Sequence, residues 1–349
     1  MTRPNRRLVL RKRPTRRIEQ DTFALEEEPA PPIDTGEALI QVEWLGIDAT
    51  QRTWLNEGPT YTDPVALGEV MRGSGVGRVV ESRNPALRPG QWVYGDLGWQ
   101  DYALARGEGV FGVNPVPPGI EPKHMLSVFG TSGLTAYIGM TNILNVTEGD
   151  TVLVTGAAGS VGSIAGQIGR LRGARVIGTA GTAAKTSWVN DTAGFACFDY
   201  HGDVPGALEE FAPEGLSAVF DNVGGPLLES ALDHLAVGAR IALCGSVSSG
   251  YGADGYGAGP ANYMQLAFRR ARMEGFIFLD FVADFPAALS ALADWVASGE
   301  LAWAEDITGG LPSAPAALQG LFDGTNLGKR IVDVRGEGAS ARPHEPGAE

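Results

Sequence analysis

Cysteine and histidine are scarce in this chain: two cysteines, Cys197 and Cys244, and four histidines, His124, His201, His234 and His344, in 349 residues. Two cysteines cannot build a disulfide framework, which points to reducing cytosol. The histidines have no metal-ligand spacing, so neither a Cys-rich structural zinc site nor a Cys/His catalytic zinc is expected, and zinc-dependent alcohol oxidation is excluded. Positive charge is short as well. A net charge of −14 argues against general affinity for nucleic acid or for an anionic membrane surface. No apolar run reaches the ~18 residues of a membrane helix, because Asp280, Asp284 and Pro286 break the best candidate. What remains, 44% hydrophobic and 19% charged, is the composition of a globular protein with about two domains.

The scarce cations are unevenly placed, with eight Arg and Lys and no acid in the first 17 residues. By composition this is a transit peptide or a nucleic-acid arm, but Leu8 to Leu10 interrupts the charges, and we read an early strand with basic flanks. From Ala38 to about Val116, short β-like runs alternate with Gly/Pro/Asn turns, which predicts a mostly antiparallel, barrel-like domain. From Leu126 longer helical stretches alternate with buried strands, among them Cys197 to Tyr200, Ala218 to Asp221 and Arg240 to Cys244. After about Leu301 the text returns to turn-rich β. The tail from Gly336 to Glu349, rich in Gly, Ala, Pro and Glu, is expected to be disordered.

The middle of the chain carries the strongest local signal, VLVTGAAGSVGSIAGQIGRLRGARVIGTAGTAAK from Val152 to Lys185. An apolar run turns through Gly156, Gly159 and Gly162 into a helical stretch, and a second apolar run from Arg175 to Thr179 follows. Strand, glycine turn, helix and strand form a dinucleotide-binding βαβ unit, in which small residues let the backbone and the helix N-terminus approach a pyrophosphate. The end of the second strand discriminates further. An NAD site usually puts Asp or Glu there for the ribose hydroxyls, whereas this chain has Gly178, Thr179, Ala180 and Gly181, with Lys185 following. Room and a cation suit a 2′-phosphate, so NADPH is favoured over NADH. Lys185 also has a bland reading as a solvated lysine at a helix start. A rival reading treats Ala158 to Gly162 as a nucleophile elbow, with Ser160, Asp221 and His234 formally available as a hydrolase triad. Ala158, where an elbow usually has Gly, counts against it.

Further segments carry a resemblance over nearly the whole chain: YTDPVALGEVMRGSGVGRVVES from Tyr61, GTSGLTAYIGM from Gly130, FDNVGG from Phe220, ARIALCGSVSSGY from Ala239, RARMEGF from Arg270 and NLGK from Asn326. Together with the cofactor stretch they resemble the zinc-independent branch of the medium-chain dehydrogenase/reductase superfamily, with its leukotriene dehydrogenases, prostaglandin reductases, plant double-bond reductases and bacterial curcumin reductases. The resemblance implies a Rossmann-type doubly wound parallel sheet, residues 126–304, inside a discontinuous GroES-like catalytic domain, residues 1–125 and 305–335. It also implies a homodimer.

Family NADPH contacts carry over onto Gly159, Ser160, Val161 and Gly162, onto Lys185 at the 2′-phosphate and Tyr200 near the adenosine, and onto Asn222. They continue on Cys244, Gly245, Ser246 and Val247 and on Asn326, while Phe276 and Phe278 correspond to the segment passing the nicotinamide and the dimer interface. Asn222 reads equally as a turn residue, Tyr200 as a strand-end aromatic and Asn326 as a loop cap. The implied reaction adds hydride to the β-carbon and a proton to the α-carbon of a small hydrophobic α,β-unsaturated ketone or aldehyde. Tyr251 is the first candidate for the donor to the enolate and Tyr61 the second, with a pocket-wall role open for both. Quinone reduction and a nicotinamide-binding sensor or scaffold are the alternatives. Two departures cast doubt on substrate transfer: Asp48-Ala49-Thr50-Gln51-Arg52 lacks a pocket tyrosine of many relatives, and Phe268 stands where some have another. An aromatic pocket from Trp44, Trp54, Tyr61, Tyr251 and Phe268 is expected.

Overall fold

The basic start of the chain becomes a strand because its acids lie opposite. In the computed structural model, which describes residues 3–58, 60–105, 112–252 and 258–336, β1 (Pro4–Leu10) pairs antiparallel with β2 (Phe23–Pro29). That register sets Arg6 against Glu27 and Arg7 against Glu26, and Arg7 and Arg11 both form ion pairs with Glu26. Arg13 donates to the carbonyls of Leu55, Asn56 and Val65 at 3.0, 3.1 and 2.9 Å. Arg52, 1% exposed, donates to Pro14 O and Thr15 O at 2.9 and 3.2 Å. These cations thus serve the fold itself, while Leu8 and Leu10 enter the core. The β-like runs that follow form β3 (Ala38–Ile47), β4 (Ser74–Ser82), β5 (Trp92–Asp96), β6 (Tyr102–Ala105) and β7 (Asn114–Pro115). A 3-10 segment, Ala49–Leu55, leaves the end of β3.

From Val128 to Ala304 the chain forms a second compact unit. It begins with α1 (Thr131–Ile138) and continues through β8 (Thr151–Val154), α2 (Ser160–Leu171), β9 (Arg175–Ala180), α3 (Ala183–Trp188) and β10 (Ala196–Asp199). Then come α4 (Val204–Phe211), β11 (Leu216–Asp221), α5 (Gly225–Asp233), β12 (Leu235–Leu243), α6 (Gln265–Arg269), β13 (Arg272–Gly275) and α7 (Phe285–Ala297). The sheet order is β10-β9-β8-β11-β12-β13 and every pairing is parallel. Helices on both faces explain why its central strands read as unbroken apolar runs: Val152, Leu153 and Val154 are each 0% exposed, worth about 1.5–3 kcal/mol apiece. Strand direction of winding reverses between β8 and β11, so the crevice for a ligand opens at their carboxyl ends.

At Glu305 the chain rejoins its first unit, Met1–Ser127 and Glu305–Glu349, adding β14 (Glu305–Gly309), α8 (Ala314–Phe322) and β15 (Lys329–Asp333). The sheet of this unit runs β14-β15-β3-β4-β5-β7, with β6 also on β3, and all pairings but β14–β15 are antiparallel. The sequence reading gave only turn-rich β for this stretch and missed α8. Its one proline, Pro315, sits in the first turn, where a missing N–H costs nothing. Ser127, the last residue before the excursion, donates its Oγ to Glu305 Oε1 at 2.6 Å. Glu305 is buried and also faces Lys123 Nζ at 3.5 Å. The tail from 337 onward lies outside the described residues.

Candidate functional site

Two loops at the carboxyl ends of β8 and β11 are bound into one structure. Thr155 Oγ1 donates to Asp221 Oδ1 at 2.7 Å and accepts from Asn222 N at 2.8 Å, while Asn222 Nδ2 donates to Thr155 O at 2.8 Å. Asp221, 0% exposed, also accepts from the backbone N–H groups of Val223 and Gly224, both at 3.1 Å. Burial pushes its carboxyl above the usual range, against these bonds. Asn222 is therefore committed through its amide N to the turn, the role its bland reading gave it.

The glycine loop itself has the shape a phosphate needs. Gly156 takes a left-handed φ of +64°, Ala157 N donates to Thr179 O at 2.8 Å, and the chain then enters α2 at Ser160. Gly159 at the N-cap has no side chain to accept from the first turn, so the amides of Ser160, Val161 and Gly162, which by helix geometry lack intrahelical acceptors, face the loop. A Cβ on Gly162 would stand 2.4 Å from Gly156 O, so helix and loop touch backbone to backbone. This cradle fits a pyrophosphate. Ser160 Oγ lies 2.6 Å from Ser132 Oγ at the start of α1. His234 Nδ1 lies 2.7 Å from Ser230 O, so Ser160, Asp221 and His234 each have other hydrogen-bond partners and do not form the hydrolase triad.

At the end of β9 the backbone passes Thr179, Ala180 and Gly181 with no carboxylate. Tyr200, 41% exposed at the end of β10, lays its hydroxyl against Gly181, 2.6 Å from where a Cβ would stand. Lys185 belongs to the first turn of α3, whose N-cap Thr182 accepts from its backbone N–H at 3.3 Å. Lys185 and Tyr200 thus both lie near the end of β9.

The loop after β12 carries the remaining predicted contacts of this unit. Cys244 and Gly245 donate their N–H groups to Asp221 O at 2.9 and 3.1 Å, and Val247 donates to Asn222 O at 3.2 Å. Tyr251 closes the loop: its Oη accepts from Ser246 N at 2.6 Å, on a backbone held at φ +49°, a region costly for a non-glycine residue. Phe276 packs edge-on against buried Phe220, with centroids 6.3 Å apart, and Phe278 stacks on Phe285 at 5.7 Å. Of the residues proposed for an aromatic pocket, Trp44 stacks on Trp92 at 5.4 Å and Phe268 is 68% exposed on α6.

Two predicted residues lie in the first unit. Asn326 uses its Nδ2 to cap its own turn at Gly328 O, 2.9 Å away. Tyr61, 43% exposed, has its Oη 2.8 Å from Thr50 Oγ1 and accepts from Trp54 Nε1 at 3.2 Å. Thr155 and Ser132 were not singled out from sequence as site residues, and Asp221 only as a formal member of the hydrolase triad. Their signal is spatial, since Thr155 meets residues 66 positions away.

Burial works against thiolate formation at both cysteines. Burial pushes Cys244 up to about 12, with the Asp221 charge adding, and burial likewise raises Cys197 to about 12. Only the thiolate alkylates, so iodoacetamide at pH 8 is expected to leave both unmodified in the native protein and to label both after unfolding. Mass spectrometry reads the outcome; labelling of native Cys244 would contradict the raised value. Among the described residues no three His, Cys, Asp or Glu side chains gather as a metal site requires.

Two family models match the chain, one described as the N-terminal domain of oxidoreductase over residues 6–113 and one as zinc-binding dehydrogenase over residues 160–294. The chain is 36% identical over 340 residues to the NADPH-dependent curcumin reductase of Escherichia coli, covering 95% of this chain and 98% of that protein. It is 32% identical over 312 residues to the 2-alkenal reductase (NADP(+)-dependent) of Nicotiana tabacum, covering 88% and 90%. Among solved structures, CurA from Vibrio vulnificus in complex with NADPH superimposes with a TM-score of 0.88 at 35% identity, covering 95% of this chain and 100% of that one.

Proposed function

We propose that this chain, which belongs to the zinc-independent medium-chain dehydrogenase/reductase superfamily, is an NADPH-dependent reductase of the carbon–carbon double bond of α,β-unsaturated ketones and aldehydes. One observation carries the cofactor half: the switch point of the parallel sheet opens on an α2 N-terminus whose approach is cleared by Gly159 and Gly162 and whose neighbouring strand ends without an acid. The substrate half is supported by relatives named for curcumin and for 2-alkenals. When bound, NADPH supplies hydride to the β-carbon.

The chain's own residues then have three tasks. The first-turn amides of α2 and Lys185 hold the anionic end of the cofactor by helix-end charge and ion pairing. The 244–251 loop, fixed through Asp221, walls the reacting end. A tyrosine hydroxyl donates to the substrate oxygen as enolate charge builds, and water gives the α-carbon its proton, so each double bond gains one hydride and one proton. We assign the protein to the cytosol, where two free thiols persist. We also assign it to a homodimer: β13 is an edge strand whose open backbone a second copy's β13 would pair with, and Tyr263, Met264 and Phe268, which precede it in sequence, are 59%, 46% and 68% exposed.

Steady-state NADPH oxidation with a panel of 2-alkenals, aryl enones and quinones tests the reading. Turnover of alkenals and aryl enones is expected, with NADH a poor substitute. Quinone turnover alone would reassign the substrate, and tight NADPH binding with no turnover across the panel would leave a sensor or scaffold.

A further inference from the structure

Strand β9 ends without a carboxylate, but the strand beside it does not. β10 pairs with β9 in parallel register, Asp199 opposite Ala180, so a carboxylate reaches the strand end that Gly181 and Thr182 continue. Side chains alternate along a strand, which puts Asp199 on the face of Cys197, whose thiol meets the Thr186 hydroxyl of α3. Lys185 precedes Thr186 in that helix. Asp199 and the helix of the lysine assigned to the 2′-phosphate therefore share one side of the sheet, entirely within the second unit.

A bare Asp199 would oppose a phosphate that brings about two negative charges. It is not bare. Its Oδ1 accepts the His201 backbone N–H at 2.9 Å and lies 2.8 Å from His201 Nδ1. A carboxylate can only accept, so Nδ1 carries a proton and Nε2 is left to take or release a second one. The ring also packs on Tyr200, centroids 4.3 Å apart, and Tyr200 lays its hydroxyl against Gly181. The backbone and side-chain bonds from His201 hold the Asp199 carboxyl below its usual range, so it stays charged between pH 5 and 8, where imidazoles change charge. Of the elements that begin at this end of the sheet, α3 contributes Lys185 and α4 has Asp203 before it, turned to accept from Gly206 N at 3.1 Å. Asp191, Glu209 and Glu210 lie toward the far ends of theirs.

Resting on the NADPH reading above, we propose that the Asp199–His201 pair makes the preference for NADPH over NADH depend on pH. With Nε2 protonated the pair is neutral overall, and His201 offers the 2′-phosphate a second cation in addition to Lys185. With Nε2 bare, the Asp199 charge stands uncompensated and repels it. His201 is thus a specificity-determining residue and Asp199 its positioning partner; only a proton moves, between Nε2 and solvent. Both side chains are exposed, 63% for His201 and 47% for Asp199, so solvent screens them and the effect is a few-fold.

Isothermal titration of NADPH and of NADH into the full chain at about pH 6 and about pH 8 tests this with wild type, His201→Gln, His201→Lys and Asp199→Asn. A phosphate itself titrates near pH 6, so each variant is compared with wild type at the same pH. His201→Gln is expected to weaken NADPH about three- to fivefold at the lower pH and to match wild type at the higher one, the size typical of exposed charge pairs. His201→Lys, whose charge persists, is expected to tighten NADPH by a similar factor at the higher pH, and Asp199→Asn to do the same by removing the repelling charge. NADH affinity is expected to be unchanged throughout. His201→Gln equal to wild type at the lower pH, His201→Lys no tighter than wild type at the higher pH, or shifts of equal size for NADH would overturn the inference. Thermal midpoints, expected to be unchanged for so exposed a pair, separate these outcomes from a folding defect. A wild type that binds NADPH and NADH equally at both pH values, and does so again as Lys185→Ala, would instead sink the NADPH reading beneath it.

Discussion

Gly162→Ala is expected to abolish measurable NADPH binding, lowering affinity by more than about 100-fold, and to lower the thermal midpoint by several degrees. A Cβ at this position would meet Gly156 O at 2.4 Å, Gly156 C at 3.0 Å and Ala157 Cα at 3.1 Å. All three are backbone atoms, so relief comes only by moving α2 away from its loop, at the about 1–3 kcal/mol typical of overpacking. That movement displaces the very amides proposed to hold the cofactor. Gly159 is the internal control. A Cβ there meets only Gly156 O, at 3.2 Å, so Gly159→Ala is expected to fold normally and to lose less affinity. Isothermal titration with NADPH and a melting curve measure both variants, and equal binding by Gly162→Ala and wild type would remove the close approach from the account.

Lys185→Ala is expected to raise the KM for NADPH about 10- to 100-fold while leaving that for NADH nearly unchanged, the loss of about 1.5–3 kcal/mol expected for a charged hydrogen bond. The asymmetry is the informative part. Lys185 lies in the first turn of α3, beside a strand end made of Thr179, Ala180 and Gly181, where no carboxylate competes for the ribose. A 2′-phosphate is the only group distinguishing the two cofactors, so a lysine that reads it alters one constant and not the other. Steady-state kinetics with both cofactors measures this, and equal effects would contradict the assignment. Gly162→Ala, by contrast, should impair both cofactors alike.

Much of the second unit was legible because its signals are local. The run from Val152, the glycine turn and the run from Arg175 became β8, the loop into α2, and β9, since strands buried on both faces need unbroken apolar sequence and the turn needs small residues. The basic start was also legible as a strand from Leu8 to Leu10 alone. What sequence could not supply was partnership at long range. Nothing near Asp221 announces that it gathers Thr155 and two loop amides, and nothing near Thr50 announces Tyr61. Helix α8 was missed for the opposite reason: its signals are local but ambiguous, since proline both breaks helices and opens them. Tyr251 ranks ahead of Tyr61 in sequence, and the structure adds only their partners, Ser246 N for the first and Thr50 and Trp54 for the second.

The contact between Ser127 and Glu305 has a consequence for how such a chain could be assembled and taken apart. The excursion from Val128 to Ala304 begins and ends beside a single buried hydrogen bond of 2.6 Å. A linker of a few residues could therefore join Ser127 to Glu305 and restore the outer chain without disturbing its sheet, while the excised stretch keeps a complete parallel sheet and its own core. In genetic terms the nucleotide-binding portion is a cassette, and the outer portion a frame that can be closed without it.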